Sequence, residues 1–257
     1  MRPVPFGSPE VWRLLLLATV LIAGAWVLAE AAEHLLPGRP LLAADQWTFT
    51  SLRAHRTPAV DQVMITLTEC GDAVVVWGVA LAAGGWLAWR RAWRPLAYGM
   101  AAVGGGSLIN TAIKLAVQRA RPTDLHFTGA SLYSFPSGHS TTNAVLYGFL
   151  LILLWRQMPS GRWRITAAAC ALLVAAICFS RLYLGAHWLS DVIGGLIFAS
   201  LWLGLLFRSY RAYPLPDIGA LGLVLTAAVA LAVCAGANIG FNHTGDLHLY
   251  ALPGTHP

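Results

Sequence analysis

The sequence predicts an all-α fold: a polytopic membrane helical bundle with six core spans and a seventh span near the C-terminus. Composition, the length of the apolar runs and the placement of the basic residues predict it. Of the 257 residues, 57% are hydrophobic and only 11% are charged, and the mean hydropathy is +0.63, well outside the mix of a soluble domain. A bilayer core about 30 Å thick needs about 20 mostly apolar residues per helix. Seven stretches meet or approach that length, at roughly 12–36, 71–89, 95–116, 141–155, 165–180, 190–207 and 217–240. The net charge of +6 is spread in small groups between the apolar runs. That spread fits membrane topology and excludes a nucleic-acid-binding domain.

Taken in order, the first span ends near Ala29-Glu30-Ala31, which also reads as a signal-peptidase site. Its apolar run is long for a signal peptide, so a retained helix is expected. From Pro37 to Cys70 the chain mixes Asp45, Arg53, Arg56, Asp61 and Glu69 with Leu, Val and Ile, as a surface-lying amphipathic segment or a solvated loop would. The fourth to sixth spans are short, which suits helices whose outer ends dip into a polar site. Cys70, Cys170, Cys178 and Cys234 have no metal-ligand spacing and read as packing residues. Trp77, Trp86, Trp89, Trp93, Trp155, Trp163, Tyr183 and Trp188 read as interfacial anchors. Gly104 to Gly106 and Gly194-Gly195 read as close helix contacts. The whole of 1–257 is expected to form one integral membrane domain. Its polar core lies at about 71–208, flanked by an N-terminal span and amphipathic segment (12–70) and the extra C-terminal span.

Orientation follows from Lys and Arg in short loops. With the N-terminus cytoplasmic, Arg2, Arg13, Arg90, Arg91, Arg94, Arg156, Arg162, Arg164, Arg208 and Arg211 fall inside, ten of the 17 basic residues. Four of the remainder, Lys114, Arg119, Arg121 and Arg181, lie beside a polar cluster at the outer ends of the spans.

Ionisable groups at membrane depth cost about 2.5–3.5 kcal/mol each on insertion scales, so a group of them implies pairing, water or a ligand. Lys114, Arg119, Arg121, His139, Arg181, His187 and Asp191 gather there, and one carboxylate cannot neutralise the cations. The missing partner is an anion. In KLAVQRARP, Lys114 and Arg121 are two helical turns apart and can face one way, while Pro122 biases Arg121 out of the helix. Alone, this stretch is an ordinary snorkelling helix end. In SFPSGHS, Pro136 and Gly138 shape a tight turn, Ser137 offers a hydroxyl, and the next helix aims its positive end at the same spot. Ser140 reads as a plain N-cap, which leaves His139 unexplained. In SRLYLGAHWLSD, His187 and Asp191 stand at i and i+4, so the carboxylate can hold Nδ1–H and leave Nε2 as a nucleophilic lone pair.

These three blocks resemble the type 2 phosphatidic acid phosphatases, the PAP2 family, which shares its site with vanadium haloperoxidases. The family pattern is K-x6-R-P, then P-S-G-H, then S-R-x5-H-x3-D. Lys114/Arg121/Pro122, Pro136 to His139, and Ser180/Arg181/His187/Asp191 match every fixed position, in order, over residues 114–191. The resemblance implies a metal-free phosphatase with no cofactor, in which His187 attacks phosphorus and Asp191 orients it. His139 would serve as acid and then base, and Lys114, Arg121, Ser137, Gly138 and Arg181 would hold the phosphoryl oxygens. Arg119 is not a fixed position of the pattern and is left out of that set.

The expected function is hydrolysis of a membrane lipid phosphate or diphosphate, such as undecaprenyl diphosphate, phosphatidylglycerol phosphate or phosphatidic acid. The expected location is the outer face of a bacterial-type inner membrane. The alternatives are a lipid phosphotransferase using the same phosphohistidine and a non-catalytic anion-binding membrane protein. A soluble haloperoxidase is disfavoured by the apolar spans.

Overall fold

The computed structural model describes residues 40–123, 128–212 and 216–251. The first predicted span with its cleavage motif, the loop residues Asp124 and His126, and the final His256 lie outside the described residues.

The described chain is helical: α1 (Pro40–Ala54), α2 (Pro58–Glu69), α3 (Ala73–Trp89), α4 (Trp93–Met100), α5 (Gly106–Val117), α6 (Gly138–Leu154), α7 (Ser160–Tyr183), α8 (Leu189–Tyr210) and α9 (Ala220–Leu249). A π turn at Ala101–Gly105 joins α4 to α5, so they form one span. Trp202 fits that turn, donating Nε1–H to the Ala102 carbonyl at 3.0 Å. Its ring fills the space that a side chain at Gly105 would need.

Among the described residues, five helical units are long and apolar enough to cross a bilayer: Pro58–Trp89, Trp93–Val117, Ser160–Tyr183, Leu189–Tyr210 and Ala220–Leu249. The shorter α6 is the inner helix. Its Val145, Leu146, Phe149, Leu150 and Leu153 are buried, and it packs on α7 and α8. The outer helices do the opposite. Leu81, Leu108, Ile165, Leu172 and Phe241 are each more than 70% exposed. Such faces are stable only against lipid, where every backbone polar group must be satisfied within its own helix.

Three expectations change. The segment before Cys70 is not a loop: it is helical over α1 and α2, and α2 leads into α3 through a short break, so the apolar unit long enough to cross runs from Pro58 to Trp89. At the end of α2, Glu69 is fully buried. Next, α6 begins at Gly138, because Ser137 is the N-cap and Ser140 is already inside the helix. Finally, α9 continues to Leu249, so the tail from Asn242 is helical. Some expected aromatic anchors are packing residues instead. Trp86 donates to the Ile218 carbonyl at 2.8 Å, and Tyr183 is 5% exposed. The four cysteines are free thiols.

Helix α9 packs antiparallel along α2 and α3, from the Arg90–Asp217 ion pair of 2.9 Å at one end to Arg56 donating to the Tyr250 carbonyl at 2.7 Å at the other. At the first end Arg94 also bonds the Tyr210 carbonyl and Gln157 reaches Pro216. The connections and first helical turns carrying Arg90, Arg91, Arg94, Arg156, Arg162 and Arg211 therefore share that end, and the polar motifs share the other.

Candidate active site

The predicted site residues are delivered by four helix ends. α5 stops at Val117 because Gln118 adopts a left-handed conformation (φ 52°) and donates its N–H back to Lys114 at 3.0 Å. Lys114 is therefore on the last turn, while Arg119 and Arg121 follow on a non-helical segment. Arg121 thus lies off the helix, as Pro122 predicts, rather than two turns beyond Lys114 on it. Ser134 N–H pins that segment by bonding the Arg119 carbonyl at 2.8 Å.

The Pro-Ser-Gly-His turn is built onto α8. Ser137 N–H donates to the Asp191 carbonyl at 3.0 Å. A side chain at Gly195 would meet the Ser137 carbonyl at 3.0 Å and Thr141 Oγ1 at 2.9 Å. Only glycine permits that approach without displacement. Ser137 is itself fully buried, and its Oγ accepts the Ser140 N–H at 3.4 Å. Gly138 has no comparable crowding: the nearest atom to an added Cβ would be Asn110 Oδ1 at 3.8 Å.

His187 and Asp191 do not share a helix as expected. α8 starts at Leu189 with Trp188 as N-cap, so His187 lies just before it and Asp191 in its first turn. The N–H groups of Ala186 and His187 donate to the Arg181 carbonyl at 3.0 and 3.3 Å, which folds the imidazole back toward the end of α7. His187 Nδ1 is 3.4 Å from Asp191 Oδ2, a close approach out of line for a hydrogen bond. On the other side of the ring, Arg121 Nη1 is 3.3 Å from Nε2.

The cations have neutral partners. Lys114 Nζ donates to the Tyr133 and Ser134 carbonyls at 2.6 and 3.3 Å. Arg121 bonds the carbonyls of Ser131 and Ala186 at 2.7 and 2.6 Å. Arg181 bonds the hydroxyls of Thr68 and Tyr250 at 2.6 and 2.8 Å. Lys114 and Arg181 are buried. Burial, and then Arg121, Arg181 and Lys114, hold His187 well below the usual histidine range, so its imidazole is neutral. Burial and Arg181 push Arg121 down to about 10, which leaves it charged at neutral pH.

Sequence reasoning set Arg119 aside, yet its Nη1 lies 2.6 Å from Asp191 Oδ1 and its Nη2 2.7 Å from Asp45 Oδ2. Burial opposes its charge, but the two carboxylates outweigh burial and hold its pKa above the usual arginine value. Asp45 also accepts the Ser190 N–H at 2.9 Å. The signal that could have found Arg119 was the arithmetic of charge, since a buried Asp191 needs its own cation.

Asp72, at the break between α2 and α3, was missed as well. Its Oδ1 accepts His139 Nε2–H at 2.9 Å, and its Oδ2 accepts Asn238 Nδ2–H of α9 at 2.8 Å. Beside it, His243 Nδ1 is 2.9 Å from Glu69 Oε2. His139 is therefore held by a carboxylate that no motif contained.

A multi-pass helical membrane protein whose helix ends surround a neutral histidine with Lys114, Arg121 and Arg181 has the makings of a phosphoryl-handling membrane enzyme. The comparisons agree. A model of the PAP2 superfamily matches residues 92–214. The chain is 30% identical over 143 residues to phosphatidylglycerophosphatase B of Bacillus subtilis, covering 54% of this chain and 70% of that protein. It is 37% identical over 109 residues to lipid A 1-phosphatase of Rhizobium johnstonii, covering 38% of this chain and 41% of that protein. A crystal structure of a transmembrane PAP2-type phosphatidylglycerolphosphate phosphatase from Bacillus subtilis superposes with a TM-score of 0.59 at 26% identity, over 77% of this chain and 92% of that one. The chain belongs to the PAP2 superfamily and is a multi-pass membrane phosphatase.

Proposed function

We propose that the protein removes phosphate from a membrane lipid phosphate or diphosphate through a phosphohistidine on His187, at the periplasmic face of a bacterial inner membrane. The observation that carries this reading is the pairing of Arg121 Nη1 with His187 Nε2 at 3.3 Å, with Asp191 on the opposite ring nitrogen. The lone pair of Nε2 thereby lies among the cations that would hold a phosphate, as in-line attack requires.

In this mechanism Lys114, Arg121 and Arg181, with the Ser137 hydroxyl and the Gly138 N–H, bind the phosphoryl oxygens and offset the charge of the transition state. A bond forms from Nε2 to phosphorus as the bond to the leaving oxygen breaks, and His139 gives that oxygen a proton. Asp191 balances the positive charge that develops on His187. The 3.4 Å contact would shorten as that charge appears, since catalytic hydrogen bonds commonly tighten on substrate binding. Water then attacks phosphorus, His139 takes its proton, and the N–P bond breaks to release phosphate.

The lipid reading rests on the site lying at the ends of lipid-facing helices and on relatives named for lipid phosphates, including a putative undecaprenyl-diphosphatase of Escherichia coli, 40% identical over 65 residues. The periplasmic side is supported by the cluster of arginines at the opposite end of the bundle.

The test is phosphate release by the purified protein in detergent with EDTA present, from undecaprenyl diphosphate, phosphatidylglycerol phosphate, phosphatidic acid and lipid A. The His187→Ala protein is assayed alongside. Release that vanishes in the variant supports the proposal and ranks the substrates. Release that survives in His187→Ala sinks it, and phosphate moving to an added lipid acceptor instead of water would identify a phosphotransferase.

A further inference from the structure

Helix α9 lies beyond the stretch matched by the family model, which ends at residue 214. Its Asn238, Asn242 and His243 nevertheless turn toward the site. Asn242 Nδ2–H donates to Asn238 Oδ1 at 2.8 Å, and Asn238 Nδ2–H in turn donates to the Asp72 carboxylate at 2.8 Å and the Glu69 carbonyl at 3.0 Å. Asn238 is thereby held with its amide nitrogen facing Asp72. The other Asp72 oxygen takes His139 Nε2–H at 2.9 Å. The break at residues 70–72 permits this. A side chain at Gly71 would lie 2.5 Å from Ile177 Cγ2 and 3.2 Å from His139 Cδ2. Glycine thus lets the hinge close onto the histidine, and Asn143 ties it there by donating to both the Gly71 and His139 carbonyls at 2.8 and 2.9 Å.

From this geometry we infer that Asp72, fixed by Asn238 of the C-terminal helix, is the positioning carboxylate of His139, forming a second His–Asp pair opposite His187–Asp191. The inference rests on the proposed acid–base role of His139. It commits Nε2–H to Asp72, so Nδ1 is the nitrogen that exchanges protons with substrate. In the substrate complex His139 is an imidazolium paired with the Asp72 carboxylate. It passes its Nδ1 proton to the leaving oxygen and becomes neutral with Nε2–H still on Asp72. It then regains a proton at Nδ1 from the attacking water. The Asp72 carboxylate stays ionised throughout, and protons balance over one turnover.

The charged and titratable groups around the pair are Arg121 before α6, Arg181 of α7, His187 before α8, Glu69 of α2, Cys70 at the break, and His243 and Asp246 of α9. Arg121 and Arg181 oppose the imidazolium, and a bound phosphate dianion offsets them. Asp72 is the carboxylate in direct contact with it.

The test uses full-length protein with Asp72→Asn, Asp72→Glu and Asn238→Leu, each checked for monodispersity and thermal unfolding. Turnover is followed across pH with a lipid phosphate and with an activated aryl phosphate. Asp72→Asn should lower kcat for the lipid about 10- to 100-fold, the weight of a charge-assisted hydrogen bond, with KM nearly unchanged. The alkaline limb of the profile should move to lower pH, because the imidazolium has lost its counter-charge. The aryl phosphate, whose leaving group needs no proton, should lose less in the bond-breaking step and leave more phosphoenzyme trapped. Asp72→Glu should restore part of the rate, and Asn238→Leu should move the same limb by less. Trapping of an alkali-stable phosphohistidine in the wild type separates the two levels. If it forms and depends on His187, yet Asp72→Asn keeps the wild-type rate and pH limb, the role of Asp72 is wrong while the mechanism stands. If none forms, both fall.

Discussion

Arg119 grips Asp191 with a 2.6 Å contact from Nη1 to Oδ1 while its Nη2 holds Asp45 at 2.7 Å, so one guanidinium ties the carboxylate behind His187 to helix α1. Asp191 also accepts the Trp188 N–H at 2.9 Å. The orientation of the His187 partner is thus set from a segment, 40–54, that no sequence motif marked.

Replacing Arg119 by Ala leaves a fully buried carboxylate without its guanidinium. Breaking a buried pair in this way costs about 3–5 kcal/mol, and kcat should fall at least about tenfold. Arg119→Lys keeps the charge but cannot reach Asp191 and Asp45 together, so it should recover stability more than rate. Thermal unfolding and kcat measured on both proteins check this. A wild-type rate in Arg119→Ala would show that Asp191 needs no such support.

Acid should destabilise the empty protein through His187. Its folded pKa lies below the unfolded value of about 6.5, so the unfolded chain binds more protons between the two. Its contribution to stability is complete above that pH and is lost as pH falls through it, by up to about 1.4 kcal/mol per pH unit. The Tm in detergent should therefore drop between pH 7.5 and 5.5, and His187→Gln should show a shallower drop. Orthovanadate, as a phosphate mimic, should reduce the loss by countering Lys114, Arg121 and Arg181.

Two glycines of the same helix should respond oppositely to Ala. Gly195→Ala forces α8 off the Ser137 turn, an overpacking worth about 1–3 kcal/mol, and should also depress turnover. At Gly204 nothing lies within 4 Å of the added methyl, so Gly204→Ala should be neutral or stabilising by up to about 1 kcal/mol through helix propensity. Equal effects at the two positions would contradict the close contact described for Gly195.

The ends of α9 should face opposite sides of the membrane. In a cysteine-free background, His248→Cys should react with an impermeant maleimide from the periplasm, and Arg211→Cys only after the cytoplasmic side is opened. Labelling of both from one side would refute a crossing seventh helix.

The apolar runs alone located most of the crossing helices, because burial in lipid demands long stretches without charge. The motif spacing likewise marked Lys114, Arg121, His139, Arg181, His187 and Asp191 as one cluster, since isolated ionisable groups at that depth are too costly. What the sequence could not reveal were the partners of those groups. Asp45 and Arg119 are 74 residues apart, His139 and Asp72 are 67 apart, and Asn238 and Asp72 are 166 apart. Glu69 stands in a stretch that reads as a surface segment or loop and Asp72 at the start of a predicted span, and nothing local distinguishes a carboxylate in water from one met by a distant donor. The sequence by itself determined that this is a membrane bundle carrying a cationic histidine site. Only tertiary packing decided which carboxylate faces which histidine, because a buried charge is satisfied by whatever the fold brings within about 3 Å, whatever its distance along the chain.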